Sequence, residues 1–147
     1  MALYHAHANY ISRSGGKSSV GHSAYITGEK AYENRTGITH SYLGKTKEVL
    51  YTNILLPEGV EHLNSSEKLW NYVEEFEDEL ASQRYGNYAD PEKQERSLAA
   101  KDKYLNSAAT AFCLEVSLPK EFSAKEKIEL SDRMAKEIFA DKKLIVQ

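Results

Sequence analysis

Apolar and polar positions alternate from Ala2 to Ile11. Leu3, His5, His7 and Asn9 fall on one side and Tyr4, Ala6, Ala8 and Tyr10 on the other, which predicts a strand. Ser12 to Ser19 is a polar loop in which Gly15-Gly16 gives backbone freedom. Ser18 or Ser19 is placed to cap a helix predicted to run to about Tyr32. Asn34 to Gly37 reads as a turn. Ile38–Leu43 and Glu48–Leu56 read as two short strands around Gly44, a hairpin ended by Pro57-Glu58-Gly59. Ser65-Ser66-Glu67 opens an amphipathic helix. Leu69, Trp70, Val73, Phe76 and Leu80 form its apolar face, and Glu74, Glu75, Asp78 and Glu79 its polar one. Residues 83–107 are polar and predict a loop plus a charged helix, part of an insert at about 78–108. Thr110–Leu118 reads as a strand stopped by Pro119. Ser123 caps a further helix striped by Ile128, Leu130, Met134, Ile138 and Phe139. Leu144-Ile145-Val146 begins an apolar strand that reads as cut in the middle.

These elements predict one α+β domain over residues 1–147, an antiparallel sheet with helices packed on one face and its C-terminal strands missing. The 147 residues, 41% hydrophobic and 28% charged, suffice for a single core. Ten tyrosines and a net charge of −3 exclude a disordered acidic tail. Apolar runs such as Ile54-Leu55-Leu56 are far shorter than the roughly 20 residues of a spanning helix, so no membrane contact is expected. The start has no basic stretch leading into an apolar one, hence no signal peptide is expected. The single cysteine, Cys113, excludes an internal disulfide framework, and a reducing, cytoplasmic location follows as the expectation.

The charge is unevenly placed. Residues 1–47 carry six Lys and Arg against two Glu, a net +4, and the rest of the chain is at −7. A basic first third points to a polyanionic partner. No Ser-His-Asp pattern, phosphate-binding Gly-Lys loop, HExxH or cysteine cluster is present. Two features remain. His5-Ala6-His7 puts two imidazoles on one face of a strand, where they could bind a divalent metal. The other feature is Tyr25, predicted in mid-helix with His22 and Glu29 a turn away. Before it, Ser12-Arg13-Ser14-Gly15-Gly16-Lys17 offers backbone N–H groups, a helix N-terminus and two cations, a cradle for phosphate. A tyrosine can attack a phosphodiester and form a covalent phosphotyrosine.

Several blocks occur in register. They are Met1-Ala-Leu-Tyr-His5, Ile11-Ser-Arg-Ser-Gly-Gly-Lys-Ser18, Ala24-Tyr25 with Gly28-Glu-Lys30, and Gly37-Ile-Thr-His-Ser-Tyr42. Ile54-Leu-Leu-Pro57, Leu69-Trp-Asn-Tyr-Val-Glu74 and Ser117-Leu-Pro-Lys-Glu-Phe122 follow. Together they resemble the N-terminus of MobA/MobL-family relaxases, which belong to the HUH superfamily. The resemblance covers nearly the whole chain apart from the insert.

It implies a plasmid mobilisation or conjugation relaxase, a nickase that cuts one DNA strand at an origin of transfer through a tyrosine on its first helix. Tyr25 matches that tyrosine. The implied partner is single-stranded origin DNA, with accessory relaxosome proteins. Arg13, Lys17, Ser18 and Lys30 are the candidate DNA-binding residues. The implied cofactor is Mg2+ or Mn2+, held in the family by three histidines that lie beyond Leu144-Ile145-Val146. No metal ligand is therefore assigned in this chain, and residues 1–147 alone are expected not to cleave. Cys113 stands where the family usually has a Glu on the strand before Leu-Pro, with Glu115 two residues on. The family carries an Arg shortly after its Val-Glu-x-x-Glu helix segment; here Glu77 ends that segment and is followed by Asp78-Glu79, and the insert obscures any equivalent. Two alternatives stay open: a non-catalytic module that grips single-stranded origin DNA, and a minimal HUH enzyme using His5 and His7.

Overall fold

The computed structural model describes residues 5–139 and 146–147; residues 2–4 of the expected first strand, and Leu144 and Ile145, lie outside them. Two antiparallel ribbons, four α-helices and two short 3-10 helices are the regular elements of the described chain. Strand β1 (Ala6–Ser12) pairs with β4 (Ala109–Val116), with Ala6 opposite Val116 and Ile11 opposite Ala111. Helix α1 (Ser19–Thr27) follows β1. Strands β2 (Lys30–Glu33) and β3 (Ile38–Ser41) form the second ribbon. Helices α2 (Ser66–Arg84), α3 (Pro91–Ser107) and α4 (Ala124–Phe139) complete the order β1-α1-β2-β3-α2-α3-β4-α4.

The expected α+β class holds, and two boundaries shift. Helix α1 stops five residues before the predicted end. Gly28 takes a left-handed φ of 66° as its cap, and its N–H donates to the Ala24 carbonyl. Lys30–Glu33 thereby becomes a strand. The hairpin forms between β2 and β3 across Asn34–Gly37, not around Gly44. Leu43–Glu48 is a 3-10 helix, and of the predicted strand over 48–56 only Leu55 pairs. It bridges Val146, its N–H donating to the Val146 carbonyl at 2.8 Å.

Packing on the β1–β4 ribbon is one-sided. Ile11 and Ala111, Asn9 and Cys113, and His7 and Glu115 are cross-strand pairs that share one face. Ile11 is buried there, and the Ser19 and Thr110 hydroxyls share a short hydrogen bond. Tyr10, Phe112, Leu114 and Val116 stand exposed on the opposite face, with Tyr10 and Phe112 in edge-to-face contact. A core of Val20, Ala24 and Ala31 joins α1 to β2 and is covered by Tyr42 and Trp70.

Helix α2 begins where the sequence places it, with Ser65 as cap. Its assignment of faces is corrected. Phe76, expected inside, is exposed, whereas Asn71 and Glu74 are buried. Each is buried because it has partners. Asn71 accepts from the Asn34 backbone N–H at 2.8 Å and donates to the Tyr32 carbonyl at 2.7 Å. Glu67 accepts from the Tyr32 N–H at 2.7 Å. Side chains of α2 thus close the outer edge of β2, which otherwise has no strand beside it among the described residues. The expected polar insert begins inside α2 and ends as α3, which Asp90 caps ahead of Pro91. Tyr104 fastens α3 to α2 through a 2.7 Å hydrogen bond to Glu77.

Candidate active site

Helix α1 carries the candidate site. Ser18 caps it, its hydroxyl accepting from the Gly21 N–H at 2.9 Å, and Gly28 closes it, so Tyr25 lies close to its C-terminal end. Ser19, Val20, Ser23, Ala24 and Thr27 face inward, which leaves Tyr25 outward and 47% exposed. Its ring is nonetheless seated. Tyr42 packs edge-on against it at 5.3 Å between centroids, and the Lys45 ammonium lies 3.4 Å from the ring centroid. The 3-10 helix Leu43–Glu48 brings Lys45 there by docking across the end of α1. The Thr46 hydroxyl donates to the Gly28 carbonyl at 2.8 Å, and the Tyr42 N–H donates to the Glu29 carbonyl at 3.0 Å. The approach is close enough that a Cβ on Gly28 would meet the Thr46 nitrogen at 2.8 Å.

The other residues near Tyr25 depart from expectation. Glu29 lies beyond the helix cap and accepts from the Thr27 hydroxyl at 3.2 Å. His22 is half-buried, and its Nε2 is enclosed without a hydrogen-bond partner among the described residues. Burial lowers its pKa against the influence of Glu115, with Lys17 adding to the fall. Cys113 lies on the same side of β4; burial raises its thiol pKa and Glu115 adds to the rise.

The phosphate cradle before α1 is corrected in three places. Arg13 is 7% exposed and bound on all sides. Its Nε donates to Glu74 at 2.8 Å, one terminal nitrogen to Asp78 at 2.7 Å, and the other to the Glu74 carbonyl at 2.8 Å. Burial works against its charge, and the hydrogen bonds to Asp78 and Glu74 outweigh it, so its pKa rises. Arg13 is a buttress between β1 and α2, not a cation offered to DNA. The helix N-terminus is also filled, because the Ser19 N–H donates to Glu74 Oε1 at 3.1 Å. The protein's own carboxylate holds the place expected for phosphate. Ser18 is buried as the helix cap and is likewise unavailable for the DNA contact assigned to it.

A second buried carboxylate, Glu33, adjoins this network. It accepts from His40 Nε2 at 2.9 Å and from Arg35 at 3.2 Å, and Arg35 also lies 3.6 Å from Glu74. Burial opposes its charge, yet these partners and Ser18 keep its pKa below the usual carboxylate value. Both arginines of the basic first third are therefore ion-paired, Arg13 buried and Arg35 on the exposed margin of the network. Lys17 and Lys30 are exposed and enter no ion pair among the described residues.

His5, just before β1, and His7 within it have nearly parallel rings with centroids 6.2 Å apart. Among the described residues no group of three or more His, Cys, Asp or Glu side chains is arranged to hold a metal ion. Two imidazoles alone are a poor fit for Mg2+ or Mn2+, which favour six oxygen-rich ligands. No described helix is long and apolar enough to cross a membrane.

Sequence reasoning missed Lys45 and Tyr42 as neighbours of Tyr25. Their approach depends on the helix ending at Gly28, and the predicted extension to Tyr32 would have carried the following segment elsewhere.

Over 74 residues the chain is 40% identical to the mobilization protein MobL of Acidithiobacillus ferridurans, covering 50% of this chain and 19% of that protein. Over 59 residues it is 39% identical to the probable mobilization protein MobA of Bifidobacterium longum (strain NCC 2705), covering 40% and 10%. The chain thus spans a fifth or less of the length of these curated relatives. Its fold resembles a solved structure described as the molecular basis of vancomycin resistance transfer in Staphylococcus aureus. The TM-score is 0.72 at 21% identity, over 99% of this chain and 60% of that one. The MobA/MobL family model matches residues 17–90, a stretch that contains Tyr25, Tyr42, Lys45, Glu33 and Glu74. With half the sequence matched in this way, the chain belongs to the MobA/MobL family.

Proposed function

We propose that this chain carries the strand-nicking tyrosine of a plasmid-mobilisation relaxase, and that Tyr25 is that tyrosine. The observation that carries the reading is a solvent-facing tyrosine on α1, its ring held by its neighbours while its hydroxyl is left free among the described residues. A nucleophile needs this combination of a fixed position and an open approach.

The substrate is single-stranded DNA at an origin of transfer. The phenolic oxygen attacks the scissile phosphorus, and the P–O3′ bond breaks as the P–O(Tyr) bond forms. The phenolic proton passes to solvent, and the departing 3′ oxygen takes one up to become a free 3′-OH. Tyr25 stays on the 5′ end of the cut strand. One phosphodiester replaces another, so the bond energy is retained and the reverse attack reseals the strand. Lys17 and Lys30 are the exposed cations assigned to the DNA backbone. Mg2+ or Mn2+ is the ion the family resemblance implies, and it would polarise the phosphate; the described residues do not form a holder for it.

The test uses the whole gene product with oligonucleotides tiled across the DNA flanking the gene, in Mn2+. Tyr25→Phe keeps the ring and removes the attacking oxygen. It should abolish the denaturant-resistant protein–DNA adduct and leave oligonucleotide binding nearly unchanged. An adduct formed by the Phe variant would sink the assignment.

A further inference from the structure

We infer that Lys45 is the cation that holds the scissile phosphate against Tyr25, an inference that rests on the nicking reading of the same site. Three observations carry it. Lys45 is the cation the fold brings to the nucleophile, its ammonium 3.4 Å from the centre of the Tyr25 ring. The placement is fixed by the fold, since the Thr46 hydroxyl and the Tyr42 N–H bind carbonyls at the end of α1 and the bare Gly28 admits them. And the arginines of the basic first third are engaged elsewhere: Arg13 with Glu74 and Asp78, Arg35 with Glu33 and Glu74.

A lysine over an exposed aromatic face is held only weakly, and a phosphate diester within reach offers its ammonium charge-assisted hydrogen bonds instead. A phosphorus in near-attack contact lies about 3–3.5 Å from the tyrosine oxygen. Its non-bridging oxygens then fall within reach of an ammonium over the same ring. Lys45 would release the ring face for the phosphate oxygen and stay charged throughout, with no proton changing hands. Its charge would offset what develops on the phosphate as Tyr25 attacks. Lys45 also explains how the site draws a polyanion when the helix N-terminus is already filled by Glu74.

The test separates this role from simple propping of the ring. Lys45→Met keeps the aliphatic stem and removes the charge; Lys45→Arg keeps the charge. Binding of an oligothymidine of about 20 nucleotides is measured against salt, which needs no cleavage. Lys45→Met should lower the salt slope by roughly 0.7 and Lys45→Arg should restore it. With the flanking-DNA oligonucleotides, Lys45→Met should slow adduct formation on the order of a hundredfold, and Lys45→Arg should recover most of that rate. Tyr25→Phe should give no adduct and a wild-type salt slope. A Lys45→Met protein with an unchanged slope overturns the proposal, even if it melts at a lower temperature. An adduct in Tyr25→Phe overturns the nicking reading instead, and the salt slope still decides whether Lys45 meets phosphate.

Discussion

Arg13 and Tyr25 sit in a segment that reads as uniformly basic and open, yet the fold treats them oppositely. Arg13 disappears against Glu74, which is 1% exposed, and Tyr25 is turned to solvent. Removing Arg13 leaves Glu74 as a buried charge without its closest cation. Arg13→Ala should therefore cost roughly 3–5 kcal/mol in urea unfolding. A variant that keeps its stability and loses only DNA binding would restore the surface role first expected for Arg13. His22 gives a second test at this scale. Its pKa is lowered by burial, so the unfolded chain takes up the proton first as pH falls through the ordinary histidine value of about 6.5. Stability should then decline as pH drops from about 7 to 5, and His22→Phe should flatten that decline. An identical pH profile in the variant would show that His22 does not contribute. Neither burial was legible in the sequence. Arg13 looks like any loop cation, and Glu74 lies in a run of acidic residues on what reads as the wet face of α2.

Among the elements, helices with a capping residue and a clear polar or apolar pattern were read correctly: Ser18 opens α1, Ser65 opens α2, and the charged helix after Asp90-Pro91 forms as α3. Strand β2 was hidden, because one of its two inward positions is Glu33, so its alternation reads as polar. Its burial rests on His40 and Arg35, partners that only the folded chain supplies. The end of α1 was missed for a related reason. The cap at Gly28 is held by its own N–H bond to Ala24 and also by a 3-10 helix downstream of the β2–β3 hairpin, a partner that the local sequence does not reveal. Two glycines isolate that docking. Gly28 and Gly15 both have left-handed φ, 66° and 73°, but of the two a Cβ meets backbone only at Gly28. Gly15→Ala should show backbone strain alone, roughly 1–3 kcal/mol. Gly28→Ala should show that strain plus a clash with Thr46, and should melt at a clearly lower temperature than Gly15→Ala. Equal melting temperatures would mean that the Lys45 segment is not clamped onto α1.

For the whole molecule, the charge map changes once the fold is known. The basic first third buries Arg13 and ties the exposed Arg35 to Glu33 and Glu74, and the cations it leaves without an ion pair among the described residues are lysines: Lys17, Lys30, Lys45 and Lys47. DNA affinity should accordingly follow the lysines. Lys17→Ala with Lys30→Ala should reduce the salt slope of oligothymidine binding by roughly 0.7 for each phosphate no longer neutralised. A double variant with an unchanged slope would assign both to ordinary solvation. The family was legible from motifs spread along the chain, and the α+β class from periodicity. The candidate site was legible only in part. A motif could point to Tyr25, but only the folded chain brings Tyr42 and Lys45 to its ring.

The central claim is that Tyr25 becomes covalently joined to DNA, and peptide mapping tests it most directly. The gene product is trapped on the flanking-DNA oligonucleotides, digested with nuclease and trypsin, and the nucleotide-bearing peptide is sequenced by mass spectrometry. Cleavage after Lys17 and Lys30 releases Ser18–Lys30, a peptide in which Tyr25 is the sole tyrosine. The expected result is a nucleotide on Tyr25 in that peptide. A nucleotide on any other tyrosine would contradict it.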